Sequence, residues 1–80
     1  MDLTMLTETI IKSLIKDPDS VSVKQFDTEE EIVIEVIVAS EDMGSVIGKD
    51  GKIANCIRTI VQASSYINDN KKVRINISSI

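Results

Sequence analysis

The sequence has no histidine, no tryptophan, one cysteine (Cys56), one proline (Pro18) and, in 80 residues, only two aromatic side chains, Phe26 and Tyr66. Each scarcity removes a class of function. Without histidine the commonest general base at neutral pH is missing, and Ser-His or Cys-His nucleophilic systems cannot be assembled. Catalysis is therefore not expected. A lone thiol without imidazole partners leaves no intrachain disulfide and no zinc or transition-metal ligand set, so neither metal nor cofactor is expected. Cys56 falls in a helical apolar pattern and is expected to be an ordinary buried thiol. Apolar residues make up 42% of the chain, yet no run approaches the roughly 20 needed to span a membrane. The start, MDLTMLTETII, lacks the basic region and long apolar segment of a secretory signal. The expectation is a cytoplasmic protein with no membrane association, forming one small domain over residues 1–80.

What is present is unevenly distributed. The formal net charge is −4, but residues 1–42 hold eleven Asp and Glu against three Lys, whereas residues 43–80 hold six Lys and Arg against two Asp. The halves thus carry −8 and +4. Fields decay within about 8 to 10 Å at physiological salt, so the second half can face a polyanion despite the total. The apolar spacing predicts a helix over 2–16 from Leu3, Leu6, Ile10, Ile11, Leu14 and Ile15. Alternation at Val21 and Val23 and the β-branched run Ile32 to Val38 predict a hairpin, with Ile32, Ile34, Val36 and Val38 on the core face. A short helix follows from Asp42 to Ile47, and a longer one from Gly51 to Tyr66 with a stripe of Ile53, Ile57, Ile60, Val61 and Ile67. A last strand, Lys72 to Ile77, presents Val73, Ile75 and Ile77 on one face. The order is α-β-β-α-α-β. Its compact solution is an α+β fold with a three-stranded mixed sheet, the last strand parallel to the second, and helices on one face. The acidic run Glu29-Glu30-Glu31 reads as a solvated hairpin turn, not a metal site.

Two of the three glycines bracket a charged pair in the stretch VIGKDGKIA, Val46 to Ala54. A glycine inside a helix costs about 1 kcal/mol relative to alanine, so the pair marks a break where backbone turns sharply or something comes close. A tight helix–helix turn would suffice as an explanation. So would a phosphate approaching main-chain N–H groups at a helix start, aided by Lys49 and Lys52, with Arg58 two turns along. A P-loop does not fit, since three residues separate Gly44 from Gly48 where four are required and Asp50 stands where Ser or Thr would bind magnesium. A dinucleotide fingerprint is absent as well.

Gly48-Lys49-Asp50-Gly51 between two helices, inside VIGKDGKIANCIRTIV, resembles the GxxG signature of KH RNA-binding domains. Two strands before the helix pair and one after it match the type II, or prokaryotic, arrangement. Chain length and the run Glu41 to Gly48 are similar to small stand-alone bacterial KH proteins. The resemblance implies that Gly48, Lys49, Asp50 and Gly51 clamp the backbone of about four single-stranded RNA nucleotides, with Lys52 just beyond. Ile47, Ile53 and Ala54 would line the apolar start of the base groove, although ordinary helix packing would explain Ile47 and Ile53 equally well. Arg58 is expected to be solvent-exposed. The family also implies RNA-regulatory or chaperone activity linked to cell elongation and division, a homodimer, and pairing with a larger multidomain KH protein. A protein-interaction module with secondary RNA binding is the alternative. The stacking platforms of RRM and OB modules are missing, so bases would be held by aliphatic contact and edge hydrogen bonds.

Overall fold

Glu31–Val38 forms a strand, β2, whose alternation is the strictest pattern in the chain: Ile32, Ile34, Val36 and Val38 are buried while Glu35 is exposed. A strand with one dry face must be covered on that face. In the computed structural model, which describes residues 2–80, that cover is helical. The first helix, α1, spans Leu3–Lys12, and the strand Ser22–Asp27, β1, pairs antiparallel with β2. The helices Met43–Ile47, α2, and Lys52–Asn68, α3, follow, and Lys72–Ser79, β3, pairs parallel with β2. The sheet order is β1-β2-β3. Single 3-10 turns at Pro18–Ser20, Ser40–Asp42 and Lys49–Gly51 complete the path. The α-β-β-α-α-β order and mixed sheet expected from the sequence are therefore observed.

The core joins β2 to Leu3 and Ile11 of α1, Val46 of α2, Ile57 and Val61 of α3, and Ile75 of β3. Asp2 caps α1 by accepting from the Met5 N–H at 2.7 Å, and α1 stops at Lys12, earlier than the apolar spacing predicted. The Lys16 N–H donates instead to Oδ1 of Asp42 at 3.3 Å. That carboxylate is buried at the start of α2, so the chain after α1 is tied to the approach to α2 and cannot continue helically. Leu14 is consequently exposed.

Two further expectations are corrected by α3. Its buried row is Ala54, Ile57, Val61 and Ser65, whereas Ile60 and Ile67 are 49% and 83% exposed. Cys56 is exposed, not buried. Cys56 precedes Ile57, and one residue is about 100° of rotation, enough to leave the core-facing row.

Gln62 joins α3 to β3. Its Nε2 donates to the Lys71 carbonyl at 3.0 Å and its Oε1 accepts from the Val73 N–H at 2.8 Å. Ser65 Oγ donates to the same carbonyl at 2.7 Å. The outward N–H at the start of an edge strand is thus satisfied by a side chain, which fixes the spacing between helix and strand. Gln62→Ala should cost about 1 to 3 kcal/mol, the penalty for stranding a partly buried donor. Urea unfolding would measure the loss, and hydrogen exchange should show reduced protection at the Val73 amide. An unchanged midpoint and unchanged exchange would mean that β3 does not need this brace.

Candidate nucleic-acid interface

The corner between α2 and α3 is built from backbone. The Gly48 N–H closes α2 on the Gly44 carbonyl at 2.9 Å, and the Gly51 N–H bonds the Gly48 carbonyl at 3.2 Å. Gly48 has φ 75° and ψ 175°, a conformation essentially restricted to glycine. A Cβ built there would lie 2.6 Å from Ile53 Cγ1 and 3.0 Å from Ile53 Cβ. Asp50 is left-handed at φ 57° and ψ 24°, which its short polar side chain tolerates better than most. Gly51 is left-handed too, at φ 74° and ψ 14°, but nothing lies within 4 Å of where its Cβ would be. The first glycine is needed for packing, and the second leaves open space at the start of α3.

That open space is electropositive. No side chain caps α3 and its first turn has no acidic residue, so although the Gly51 and Lys52 N–H groups bond the Gly48 and Lys49 carbonyls, the positive end of the helix dipole is not offset by a carboxylate within that turn. Lys49 and Lys52 are exposed beside it. Among the described residues the ion pairs are Glu8–Lys12 and Glu31–Arg74, and neither lysine has a carboxylate partner. Asp50 does not neutralise Lys49 by contact.

The remaining candidates divide. Gly48, Lys49, Asp50, Gly51 and Lys52 come together at the corner. Ile47 and Ile53 are half-buried, and Ile53 packs both on the core and under Gly48. Ala54, 2% exposed, belongs to the core and presents no surface to a groove. Arg58 is exposed, as expected, with Nη1 only 3.4 Å from Asn55 Oδ1. It stands on the flank of α3 nearest β3, where Arg58, Thr59, Gln62, Ala63, Tyr66 and Val73 line an open groove of about 450 Å³. Sequence reasoning missed this groove. The available signal was Arg58, Gln62 and Tyr66 at four-residue spacing. Neither α3 nor β3 contains an Asp or Glu, although the molecule is acidic. Among the described residues no cluster of three metal-ligating side chains occurs, and no helix is long and apolar enough to cross a membrane.

Comparison with known proteins finds relatives of this chain along nearly its whole length. A family model described as "KhpA/KhpB, KH domain" matches residues 5–77. A protein named RNA-binding protein KhpA from Clostridium acetobutylicum is 47% identical over 75 residues, covering 94% of this chain and 99% of its own. The protein of that name from Clostridium perfringens is 50% identical over 72 residues, covering 90% and 95%, and that from Thermotoga maritima is 36% identical over 72 residues, covering 90% and 93%. Among solved structures, Aquifex aeolicus Era bound to GDP.AlF4- superposes with a TM-score of 0.64 at 21% identity, over 100% of this chain and 32% of that one. Era in complex with MgGDPNP and a segment of 16S ribosomal RNA gives a TM-score of 0.61 at 21% identity, over 99% and 31%. The chain thus spans about a third of the Era chains, and at this identity the likeness is one of fold.

The two glycines should respond differently to substitution. Gly48→Ala combines a forbidden dihedral region with overlap on Ile53 and should cost about 3 kcal/mol. Gly51→Ala meets no neighbour and should cost only the left-handed penalty of about 1 to 2 kcal/mol. Chemical denaturation of both variants tests the asymmetry, and equal losses would contradict it.

Proposed function

The chain belongs to the KhpA/KhpB KH-domain family, and on that premise we propose that it is a non-catalytic binder of single-stranded RNA, gripping the backbone with Gly48-Lys49-Asp50-Gly51. The observation that carries this reading is the open space over Gly51 at the uncapped start of α3, flanked by two lysines without carboxylate partners. A phosphate there meets main-chain N–H groups, a favourable helix dipole and two cations at once. Bases then lie along the flank of α3 toward β3, two elements that themselves carry no acidic side chain, the carboxylates beside them being Asp69 after α3 and Glu31, which pairs with Arg74. The cellular role is post-transcriptional regulation or RNA chaperoning in the cytoplasm, linked to control of cell elongation and division. That the relatives are named RNA-binding proteins supports the partner class.

Lys49→Asp separates a clamp from a turn. Both glycines stay, and an exposed loop substitution normally changes stability by about 0.5 kcal/mol or less. Two adjacent carboxylates would then face the incoming phosphate. Single-stranded RNA binding should fall at least about tenfold, or about 1.4 kcal/mol, with the melting temperature little changed. The parent should prefer a single strand over the corresponding duplex. Its slope of log affinity against log salt should be about −1 to −3, from about −0.7 per neutralised phosphate. Fluorescence anisotropy with labelled RNA measures the three binding outcomes, and thermal unfolding measures the fourth. A stable variant that binds like the parent would reduce the loop to a turn.

A second reading, self-association, rests on a different feature. Apolar surface at the corner is small because Ile53 is packed, but Cys56, Ile60, Ala63 and Ile67 form an exposed row on α3 with spacing 4-3-4. That spacing is the seam of a two-helix coiled coil. Through this row the protein forms a homodimer, and by the same surface it pairs with a KhpB (Jag/EloR)-type multidomain KH protein. Ile60→Glu should convert a dimer at micromolar concentration into an 8.8 kDa species in analytical ultracentrifugation without lowering stability. A parent that already sediments as 8.8 kDa would end this reading.

A further inference from the structure

The groove between α3 and β3 lies beyond the corner and is lined by an exposed aromatic ring and a cation, Tyr66 and Arg58. Resting on the clamp reading above, we propose that Tyr66 stacks on an RNA base just past the four nucleotides held by the clamp, with Arg58 on the connecting phosphate. Tyr66 is 55% exposed at the far end of the groove, fifteen residues along α3 from Gly51, or about 22 Å at 1.5 Å per residue. It is the one aromatic on α3. A volume of about 450 Å³ lies within the range of small-ligand sites.

The groove floor limits how a base is recognised. Gln62 spends both ends of its amide on the Lys71 carbonyl and the Val73 N–H, so it is rigid and offers little to a base edge. What remains accessible is the phenol ring, the aliphatic surface of Ala63 and Val73 and the Arg58 guanidinium, since the Thr59 hydroxyl donates to the Asn55 carbonyl at 2.9 Å. Stacking is sequence-tolerant because every base has a π-face. The subsite therefore lengthens the footprint on RNA without adding base preference. Charge at the Arg58 end favours a polyanion as occupant: no Asp or Glu occurs within α3 or β3, Asp69 standing just past the Tyr66 end, and Arg58 has only the long 3.4 Å hydrogen bond to Asn55.

The test compares RNA tetramers and heptamers of mixed sequence by amide chemical-shift titration, using the parent, Tyr66→Ala, Tyr66→Phe and Lys49→Asp. The heptamer offers the same number of registers to every variant, so that factor cancels. Tyr66→Ala should weaken heptamer binding about tenfold and leave the tetramer unchanged. Tyr66→Phe should keep the parent's length dependence, since the ring and not the hydroxyl is used. Lys49→Asp should weaken both lengths. If Tyr66→Ala binds the heptamer like the parent, or loses the same factor on both lengths, the subsite is overturned. Sedimentation is run in parallel, because loss of a dimer on Tyr66→Ala would assign the ring to a second copy of this chain and overturn the subsite too. A Lys49→Asp protein that binds both lengths normally, while Tyr66→Ala removes the length gain, would discard the clamp and leave the groove standing.

Discussion

Parallel pairing of β2 with β3 is the constraint on which the rest of this molecule depends. Parallel neighbours cannot be joined by a tight turn, so the chain leaving Val38 must cross the sheet before Lys72. The crossover is made of two helices, and the corner between them falls beyond the C-terminal end of the strands. It is the end at which crossover connections of open α/β sheets commonly meet ligands. Because α3 must then return along the sheet to start β3, one helix carries the corner at its beginning and the groove along its flank. Gln62 fixes the distance between that flank and the strand edge.

The corner itself rests on an unequal pair of glycines. Gly48 is held to its conformation by dihedral and by Ile53, while Gly51 faces open space. A turn made only to reverse direction would not need the second position empty, since Asn or Asp also enters the left-handed region. Asp50, immediately before it, does so. The left-handed dihedral already favours glycine at position 51, and the vacancy over it also leaves the backbone there open to approach. Electrostatics points the same way. An overall charge of −4 coexists with a helix and strand free of carboxylates, and over distances beyond a Debye length the acidic hairpin contributes little to the field at the corner.

Much of this was legible in the sequence because period-2 alternation is hard to mimic. Ile32 to Val38 declared its core face, and its pairing with a β-branched strand after two helices left few topologies. The glycine pair declared a break. Most of what was not legible had one cause. In α3 two apolar rows interleave, Ala54-Ile57-Val61-Ser65 inward and Cys56-Ile60-Ala63-Ile67 outward, and a list of isoleucines merges them. The inward row even ends on a serine, whose hydroxyl is used by the Lys71 carbonyl. Ala54, which the family resemblance puts at the start of the base groove, is turned into the core because it lies about 100° of rotation past Ile53. The end of α1 was hidden differently, since it depends on Asp42, twenty-six residues from Lys16 in sequence.

The same interleaving has a consequence for how the functions fit together. At about 100° per residue the core row, the groove row Arg58-Gln62-Tyr66 and the exposed apolar row point in three directions about 95 to 135° apart. A partner lying on the apolar row therefore leaves Arg58 and Gln62 uncovered, with Ala63 at the boundary between the two surfaces. On the proposed readings, RNA on the groove and a second helix on the seam would not compete for the same side of α3. They share only its rigidity: a 17-residue helix braced by the core, by Gln62 and by Ser65 holds both surfaces in fixed relation. Two chains joined along that helix would carry two clamps at a set separation, and a flexible single strand reaching both would bind through effective concentration without any new contact.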